Sequence, residues 1–429
     1  MDKTPVVAVL DVGKTNKKVA LYDENLRPVD LKKISLDAKE SGDGVEYEQT
    51  VELFRWTCEV LAEFGRRYDI RAIGITTHGA TLAVLDGQGE LAHPVISYLS
   101  PAGDRIEEEF NEKFGPPERI HAETCTPPFG FANAAKQLYF LQKFFPEDWS
   151  KAERILFYPQ YLGYLFTGEL AAEPTFLGCH TYLWNPEKNA PSEVAKALGV
   201  DGMLPERVVA SWDRLGGITE SVAERTGLPA GIPLIVGLHD SNASLLPYLA
   251  KDLGQFTLNS TGTWCVAMTP SESFDFEPEE IGTKTFYNLS AYGRPVKTSI
   301  FPGGLEFSEF SKIAGETQIK DPSEIETVCR DAEIVLTGGL VPGAEAFPGC
   351  IPMLHLGEQK VSFEELQEMG LDAAGIGADS FLAVLNLSLA IQTVESLHRA
   401  GLQKGATIFI EWGFANNPEY CRIIAALLP

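Results

Sequence analysis

The sequence has few cysteines, and none stand at the spacings that cysteine-based sites require. Its 429 residues include seven cysteines, an odd and scattered set without any CxxC pair. Disulfide scaffolds and zinc sites usually show paired, closely spaced cysteines. The pattern therefore predicts buried thiols in a reducing compartment, with neither a disulfide framework nor a cysteine-ligated zinc site.

Basic residues are scarce relative to acidic ones. There are 35 Lys and Arg against 60 Asp and Glu, which gives a net charge of −25. A charge of this sign and size repels phosphate backbones and anionic lipid. We therefore expect no nucleic-acid partner and no membrane-surface role, and a small anionic substrate would need a locally neutralised pocket.

A hydrophobic run suited to crossing a membrane is also missing. The most apolar helix candidate, 381–394, carries an Asn, a Ser and a Gln, so it predicts a core helix rather than a membrane span. The apolar run at 6–10 is short and ends at Asp11, unlike a signal peptide. With the cysteine pattern, these observations predict a cytoplasmic protein.

What is present is typical of a packed globular protein. Hydrophobic residues make up 44% and charged residues 22%, which excludes disorder as the main state. The spacing of apolar residues predicts alternating strands and helices, hence an α/β protein. The predicted strands are 6–10, 19–22, 29–36, 72–76, 82–85, 233–236, 255–259, 264–268, 333–336 and 407–410, and the predicted helices include 51–64, 241–249, 378–399 and one from 418.

Two halves of the chain share a plan. Each opens with a strand, a small polar turn containing one Gly, and a second strand, with the turns at 11–16 and 260–263. No low-complexity linker separates the halves, and the boundary is expected near 240–255. We therefore predict domains at 1–245 and 246–429, in two lobes with a ligand cleft between them.

Both polar turns have features of an anion cradle. Backbone N–H groups and hydroxyls at a turn tip bind phosphate. Asp11 would repel phosphate unless a cation such as Mg²⁺ sat between them. A strand–turn–strand without phosphate chemistry is the alternative for either turn taken alone. A Walker A loop ending at Thr15 is excluded, because it needs Gly at the position of Ala8 and a helix after Thr15.

Five segments, in order, resemble motifs of the FGGY family of carbohydrate kinases. The resemblance runs from about residue 6 to 427 and implies a two-lobed actin-like, Hsp70-like ATPase fold with ribonuclease H-like domains. The segments are Asp11-x-Gly13-x-Thr15-x-x-Lys18, Gly237–Ala243, Ser260–Trp264, Gly343–Gly349 and Gly413–Pro418.

The resemblance implies ATP-dependent phosphorylation of a sugar hydroxyl, with ATP, Mg²⁺ and a small sugar as ligands. From the residues alone, Asp240 could instead be a helix N-cap, Lys18 a solvated strand residue and Asn417 a helix start. The residues matched to functional positions are Asp240 as general base; Asp11 as metal ligand; Gly13, Thr15, Lys18, Thr261, Gly262, Thr263, Gly413, Phe414 and Asn417 for the nucleotide; and His78, Asp104 and Asp240 for the sugar.

The motifs give two different indications of the sugar. His239-Asp240 and Thr261–Trp264 look most like L-rhamnulose and L-fuculose kinases, whereas 77–82 looks like D-xylulose kinases. An L-ketose is the leading expectation. A pentulose kinase, or a catalytically weakened sugar- or nucleotide-binding protein, is the alternative. A second copy of the chain, forming a homodimer, is the macromolecular partner we consider.

The sequence also departs from the family pattern. Lys14 replaces a small residue, no Trp precedes Asp104, and Glu411-Trp412 replaces a glycine-rich opening. Family members usually continue past the position of Pro429 with a strand and a Gly/Ala-rich helix. We therefore expect the second lobe to lack its last segment.

Overall fold

A computed structural model describes residues 3–14, 16–251, 253–331 and 333–428. The chain divides into two compact units. Unit 1 comprises Met1–Ala250 and Tyr287–Pro295, and unit 2 comprises Lys251–Phe286 and Val296–Pro429. The predicted α/β class is confirmed in each unit.

Unit 1 alternates strands with mostly short helices. Its strands are β1 Thr4–Val12, β2 Asn16–Tyr22, β3 Pro28–Ser35, β4 Lys39–Glu40, β5 Glu46–Tyr47, β6 Tyr68–Thr77, β7 Leu82–Leu85, β8 Arg154–Phe157, β9 Trp184–Asn185, β10 Ala190–Pro191, β11 Arg214–Gly217, β12 Pro233–Ile235 and β13 Leu238–His239. Its helices are α1 Thr50–Arg67, α2 Glu107–Phe114, α3 Pro117–Thr124, α4 Ala134–Phe144, α5 Pro146–Trp149, α6 Tyr158–Thr167, α7 Pro174–Leu177, α8 Glu193–Leu198, α9 Glu220–Thr226 and α10 Asp240–Leu249, with 3₁₀ turns at Pro101–Ile106, Gly130–Ala132 and Asp201–Met203.

The main sheet of unit 1 is organised around β1. Its strand order is β11-β12-β6-β1-β2-β3, with β13 also pairing with β6. Alternate residues of β1, including Ala8, Leu10 and Val12, are buried, as expected for a strand with one face on the core. β1 is antiparallel to β2 but parallel to β6, and β13 is parallel to β6. The carboxyl ends of β1, β6 and β13 therefore lie at one edge of the sheet.

Unit 2 carries a second mixed sheet and the longest helix. Its strands are β14 Phe256–Thr261, β15 Cys265–Pro270, β17 Pro295–Phe301, β18 Ile334–Thr337, β19 Met353–Leu356, β20 Gln359–Ser362 and β21 Thr407–Trp412. The strand β16 Thr285–Leu289 begins in unit 2 and continues into the segment Tyr287–Pro295 of unit 1, and Pro295 of β17 also belongs to that segment. Its helices are α11 Gly303–Ala314, α12 Ser323–Asp331, α13 Phe363–Ala374, α14 Ala378–Arg399 and α15 Pro418–Leu427, with 3₁₀ turns at Pro278–Glu280 and Gly413–Asn416.

The sheet of unit 2 repeats the pairing logic of unit 1. Its order is β16-β17-β15-β14-β21, and β18, β19 and β20 form a smaller antiparallel sheet. β14 is antiparallel to β15 and parallel to β21, with Thr261 opposite Trp412. The residues that follow β14 and β21 therefore emerge at the same edge.

Helix α14 is the core helix that the sequence predicts, with the bounds 378–399 confirmed. Among the described residues it is the helix with the length and composition to span a membrane, but 67% of its apolar window is buried within the protein. Its polar side chains are hydrogen-bonded: Asn386 Nδ2 donates to the Leu382 carbonyl at 2.8 Å, and Thr393 Oγ1 lies 2.6 Å from the Tyr420 hydroxyl.

The prediction that all the cysteines are buried is wrong for three of them. All seven lie among the described residues and are free thiols. Cys329 is exposed, and Cys350 and Cys421 are partly exposed. Cys329 lies on the amphipathic helix α12, where its position faces solvent, a detail that composition cannot indicate.

Leu389→Ala should destabilise unit 2 strongly, because Leu389 is fully buried on α14 within the main apolar cluster. Removing such a side chain leaves a cavity and costs about 2–5 kcal/mol. Urea denaturation would measure the loss. Ile391→Ala is the matched control, because Ile391 lies on the same helix but is 41% exposed. Equal losses in the two variants would contradict this placement of the core.

Candidate functional site

Three predicted site residues of unit 1 come together at the edge where parallel strands end. Asp11 lies near the end of β1, His78 follows β6 and Asp240 follows β13. The backbone N–H of His78 donates to the Val12 carbonyl at 2.8 Å, which joins the ends of β6 and β1. Asp240 is close enough for the charges of His78 and Asp11 to affect its pKa. Clefts beyond the carboxyl ends of parallel strands commonly bind ligands.

Asp240 is the first residue of α10, and the N-cap position belongs to His239. The Asp240 Oδ1 atom accepts a hydrogen bond from the Ser241 N–H at 2.7 Å and lies 3.3 Å from His239 Nε2. The capping role considered from the sequence therefore does not describe Asp240. One face of its carboxylate stays open, since the side chain is 39% exposed.

Protein packed around Asp240 shifts its acidity although solvent still reaches the side chain. Burial raises the pKa of Asp240 to about 6; a positive charge on His78, when that ring is protonated, opposes this effect, and the charge of Asp11 adds to it. The exposed fraction governs access by a ligand, while the surrounding protein penalises the charged form. A carboxylate with this pKa is ionised at neutral pH yet more basic than usual, as suits a general base.

His78 carries a buried hydrogen-bond acceptor close to Asp240. Burial lowers the pKa of His78, so the ring is neutral at physiological pH. Nδ1 lies 3.0 Å from the Gly79 carbonyl, so Nδ1 carries the hydrogen and Nε2 is left as an acceptor. Nε2 is buried and has no partner among the described residues. The ring lies between Tyr98 and Tyr158, with centroid distances of 5.5 and 5.4 Å.

His239 is also buried and neutral. Burial lowers the pKa of His239 to about 4. Its side chain therefore adds no positive charge beside Asp240 at neutral pH.

A cluster beside this site was not predicted from the sequence. Lys14 contacts the carboxylate of buried Glu48, donates to Ser97 Oγ at 2.7 Å and lies over the Tyr98 ring, 5.0 Å from its centroid. These residues are far apart in the chain, so no local pattern could have joined them. The departure noted at Lys14 is thus a paired cation.

Asp11 is paired with Lys18, its cross-strand neighbour, at 2.8 Å. The turn that follows is closely packed at Gly13, where a Cβ would lie 3.0 Å from the Asn16 carbonyl oxygen. Thr15 lies outside the described residues.

The described residues contain no cluster of three or more metal-ligating side chains. Mg²⁺, however, commonly binds through one or two carboxylates with water and substrate phosphates. The single carboxylate of Asp11 fits that mode of binding.

Asp104, the third residue predicted for the sugar, lies exposed on the 3₁₀ turn Pro101–Ile106. Among the described residues, no hydrogen bond or ion pair joins Asp104 to Asp240 or His78.

Unit 2 contains a cavity of about 760 Å³ at the edge where β14 and β21 end. Thr261, Gly262 and Thr263 line it from β14, and Gly413, Phe414 and Asn417 line it after β21. All six were predicted to bind the nucleotide. The other lining residues are Gly304, Leu305, Phe307, Ser308, Thr317, Gln318, Ile319, Asn386, Trp412, Asn416, Pro418 and Glu419.

The turn after β14 is held against the start of α11. The Leu305 N–H donates to the Thr263 carbonyl at 3.0 Å, and the Gly262 N–H donates to the Trp264 carbonyl at 2.9 Å. A Cβ on Gly304 would lie 1.8 Å from the Gly262 carbonyl oxygen, so only glycine fits there. The turn and the start of α11 thus lie together at the wall of the cavity, and the N–H groups of Gly262 and Leu305 are bonded within the protein.

Several predicted nucleotide residues also have structural bonds. The Thr261 hydroxyl donates to the Glu411 carbonyl and accepts from the Phe414 N–H at 3.0 Å. Asn417 caps α15 by accepting from the Tyr420 N–H at 3.1 Å, which is the helix-start role considered from the sequence. Its Nδ2 donates to Asn386 Oδ1 at 2.7 Å.

Sequence reasoning missed Gly304 and Asn386 as cavity residues, whereas the departure at Glu411-Trp412 pointed to Trp412, which lines the cavity. The Gly303-Gly304 pair after a strand and the polar Asn386 within an apolar helix were usable signals. Trp412 is 60% exposed and has a φ of +66°, which is unusual for a residue other than glycine.

The two sheets, each with a strand–turn–strand at its centre, belong to the actin-like ATPase fold. A carbohydrate kinase from Novosphingobium aromaticivorans superposes with a TM-score of 0.83 at 26% identity, covering 99% of this chain and 87% of that chain. Glycerol kinase from Plasmodium falciparum with ADP gives 0.79 at 17% identity, covering 99% and 85%, which supports the fold alone.

The chain belongs to the FGGY family of carbohydrate kinases. Residues 6–247 match the N-terminal domain of that family and residues 253–429 match its C-terminal domain. An L-fuculokinase of Salmonella typhi is 27% identical over 64% of this chain, and a rhamnulokinase of Bacteroides thetaiotaomicron is 29% identical over 46%. The matched regions span 58% and 40% of those two proteins.

Glu48→Gln should destabilise unit 1, because it removes the charge that pairs with Lys14 in a mostly buried setting. A hydrogen bond between charged groups contributes about 1.5–3 kcal/mol. Denaturant unfolding would measure the loss. Glu59→Gln is the control, because Glu59 pairs with Arg55 at the surface and should matter little. A loss no larger than that of the control would show that the Glu48–Lys14 pair contributes little.

Proposed function

We propose that this protein transfers the terminal phosphoryl group of ATP to a hydroxyl of a ketose, with Asp240 as the general base. The observation that carries the proposal is the raised pKa of a partly exposed carboxylate at the edge where β1, β6 and β13 end. Membership in a family of carbohydrate kinases supports it.

The chemistry assigned to Asp240 is removal of one proton. Its carboxylate accepts the hydrogen of the sugar hydroxyl as that oxygen forms a bond to the terminal phosphorus. The bond from this phosphorus to the bridging oxygen breaks, and ADP leaves with the electron pair. In phosphoryl transfer, most of the catalysis comes from positioning the reacting groups and stabilising the charge on phosphate.

His78 is proposed to orient the sugar. Its unpaired Nε2 can accept a hydrogen bond from a hydroxyl but cannot donate one in the neutral ring. This favours a substrate rich in hydroxyl groups. Asp104 remains part of the proposed sugar site only through the family resemblance.

ATP is proposed to bind in the unit 2 cavity. Gly262 and Thr263 would lie at the phosphate groups, as the family motif implies, and Thr261, Gly413, Phe414 and Asn417 would shape the remaining pocket. Gly13, Thr15 and Lys18 are proposed as further phosphate contacts. Asp11 would hold Mg²⁺, which when bound neutralises phosphate charge.

An L-ketose such as L-fuculose or L-rhamnulose is the leading substrate, in line with the names of the relatives. A pentulose is the second candidate, because a probable L-xylulose kinase of Pasteurella multocida is 25% identical over 62% of this chain. A catalytically weakened sugar- or nucleotide-binding protein is the third candidate.

We also propose a cytoplasmic location and a homodimeric state. Light scattering would test the homodimer.

ADP release from Mg-ATP across a panel of ketoses and polyols tests the activity. The panel includes L-fuculose, L-rhamnulose, L-ribulose, D-xylulose, D-ribulose and glycerol. A response to one sugar would support the kinase and name its substrate. Nucleotide binding without sugar-dependent release would favour the binding protein.

Asp240→Asn should lower turnover about 10²- to 10⁴-fold, because the amide cannot accept the proton in place of the carboxylate. General-base catalysis contributes a factor of this size to a rate. The affinity for ADP, measured by calorimetry, should be unchanged. The control is Asp69→Asn, which should keep normal turnover because Asp69 lies on β6 and pairs with exposed Arg71. Near-normal turnover in Asp240→Asn would exclude Asp240 as the base.

The rate should fall in acid, because Asp240 accepts a proton only when ionised. With a pKa of about 6 in the free protein, kcat/KM for the sugar should drop as the pH falls through that value. At pH 5 it should be about tenfold below its plateau. A pH series of initial rates would measure this. If the acid limb, the fall of kcat/KM at low pH, lay near pH 4, the raised pKa of Asp240 would be contradicted.

A further inference from the structure

Glu173 is a carboxylate buried completely in unit 1, and no role assigned above uses it. Oε1 accepts hydrogen bonds from Thr175 Oγ1 at 2.7 Å and the Phe176 N–H at 2.8 Å. Oε2 accepts from the Thr175 N–H at 2.9 Å and Ser211 Oγ at 2.7 Å. Four donors thus converge on the two oxygens and favour the carboxylate form, although burial raises the pKa of Glu173.

Two of these donors lead to the backbone just before Asp240. The Thr175 hydroxyl also accepts from the His239 N–H at 3.0 Å. The carbonyl of Ser211 accepts from the Gly237 N–H at 3.1 Å. Both partners of Glu173 therefore bind the short segment that delivers Asp240 to the sheet edge.

The direction of the hydrogen bonds shows that Glu173 fixes the orientation of the Thr175 hydroxyl. A hydroxyl has one hydrogen, and that of Thr175 is donated to Glu173, so its oxygen is left to accept from His239. Without Glu173, this hydroxyl could rotate.

The bound segment, 237–239, follows a tight course. Gly237 has a φ of +83°, and a Cβ there would lie 2.5 Å from the Ile75 carbonyl oxygen. Thr76 Oγ1 donates to the Leu238 carbonyl at 3.0 Å. The backbone is thus held at each of its three residues.

We propose that Glu173 is a positioning residue for Asp240, acting through Thr175 and Ser211 to fix the backbone from Gly237 to His239. The proposal rests on the proposed function, in which Asp240 is the base. Glu173 also caps α7 by accepting from the N–H groups of Thr175 and Phe176. That local role does not require the hydroxyl bonds of Thr175 and Ser211.

Thr175→Val tests the hydroxyl bond while it leaves Glu173 and its capping bonds in place. We expect kcat to fall at least tenfold with the affinity for ADP unchanged. The acid limb of kcat/KM should move below pH 6 toward the ordinary carboxyl value, because a released Asp240 becomes more solvated. The ionisable groups that act on or respond to Asp240 are His78, Asp11, His239, Tyr98 and Cys179.

Hydrogen–deuterium exchange gives a readout that needs neither sugar nor nucleotide. The amides of 237–241 should exchange at least tenfold faster in Thr175→Val. Thr57→Val is the matched control: it removes a buried hydroxyl that donates to the Leu53 carbonyl of α1 at 2.8 Å, outside this network. Its exchange at 237–241 and its acid limb should match the parent protein.

The variants separate the two proposals. Unchanged exchange at 237–241 with an unchanged acid limb in Thr175→Val would overturn the positioning role. Retained turnover in Asp240→Asn would overturn the base role, while the exchange result would still report on the backbone. Glu173→Gln should reproduce the faster exchange if it folds, since an amide cannot accept all four hydrogen bonds, and Thr175→Val provides the test if it does not.

Discussion

Parallel pairing of strands far apart in the chain is the constraint on which both candidate sites depend. β6 lies between β1 and β13 at the end of the unit 1 sheet, and all three run in one direction. Their carboxyl ends therefore share an edge, which gathers Asp11, His78 and Asp240. In unit 2, β14 and β21 are also parallel, so the turn after Thr261 and the segment after Trp412 lie at the same edge of the sheet.

The acidic residues near the end of the unit 1 sheet differ in whether a cation is paired with them. Asp11 is paired with Lys18, and Glu48 is paired with Lys14. Among the described residues, no lysine or arginine pairs with Asp240; its close ionisable partner is neutral His239. A cation beside Asp240 would have lowered its pKa. Burial therefore raises the pKa of Asp240 without a neighbouring lysine or arginine to oppose it.

The local sequence pattern predicted those features of the fold that depend on residues close together in the chain. The bounds of α14 and the turns flanking β1 and β14 follow from apolar periodicity and turn residues. The Lys14–Glu48 pair and the Glu173 network could not be predicted, because they join residues that only the folded sheet brings together. The same limit explains Thr261: its sequence context indicates a phosphate contact, yet its hydroxyl is already bonded to Glu411 and Phe414.

Both sites depend on close backbone approaches next to a strand end. Gly237 passes the Ile75 carbonyl in unit 1, and Gly304 passes the Gly262 carbonyl in unit 2, and in each case a Cβ would collide. Trp412 adds a positive φ at the rim of the cavity, a conformation that costs of the order of 1–3 kcal/mol in a residue other than glycine. Strain of this kind persists only where the surrounding contacts impose it. The backbone geometry at the strand ends therefore sets the positions of the reactive side chains in unit 1 and of the residues that line the cavity in unit 2.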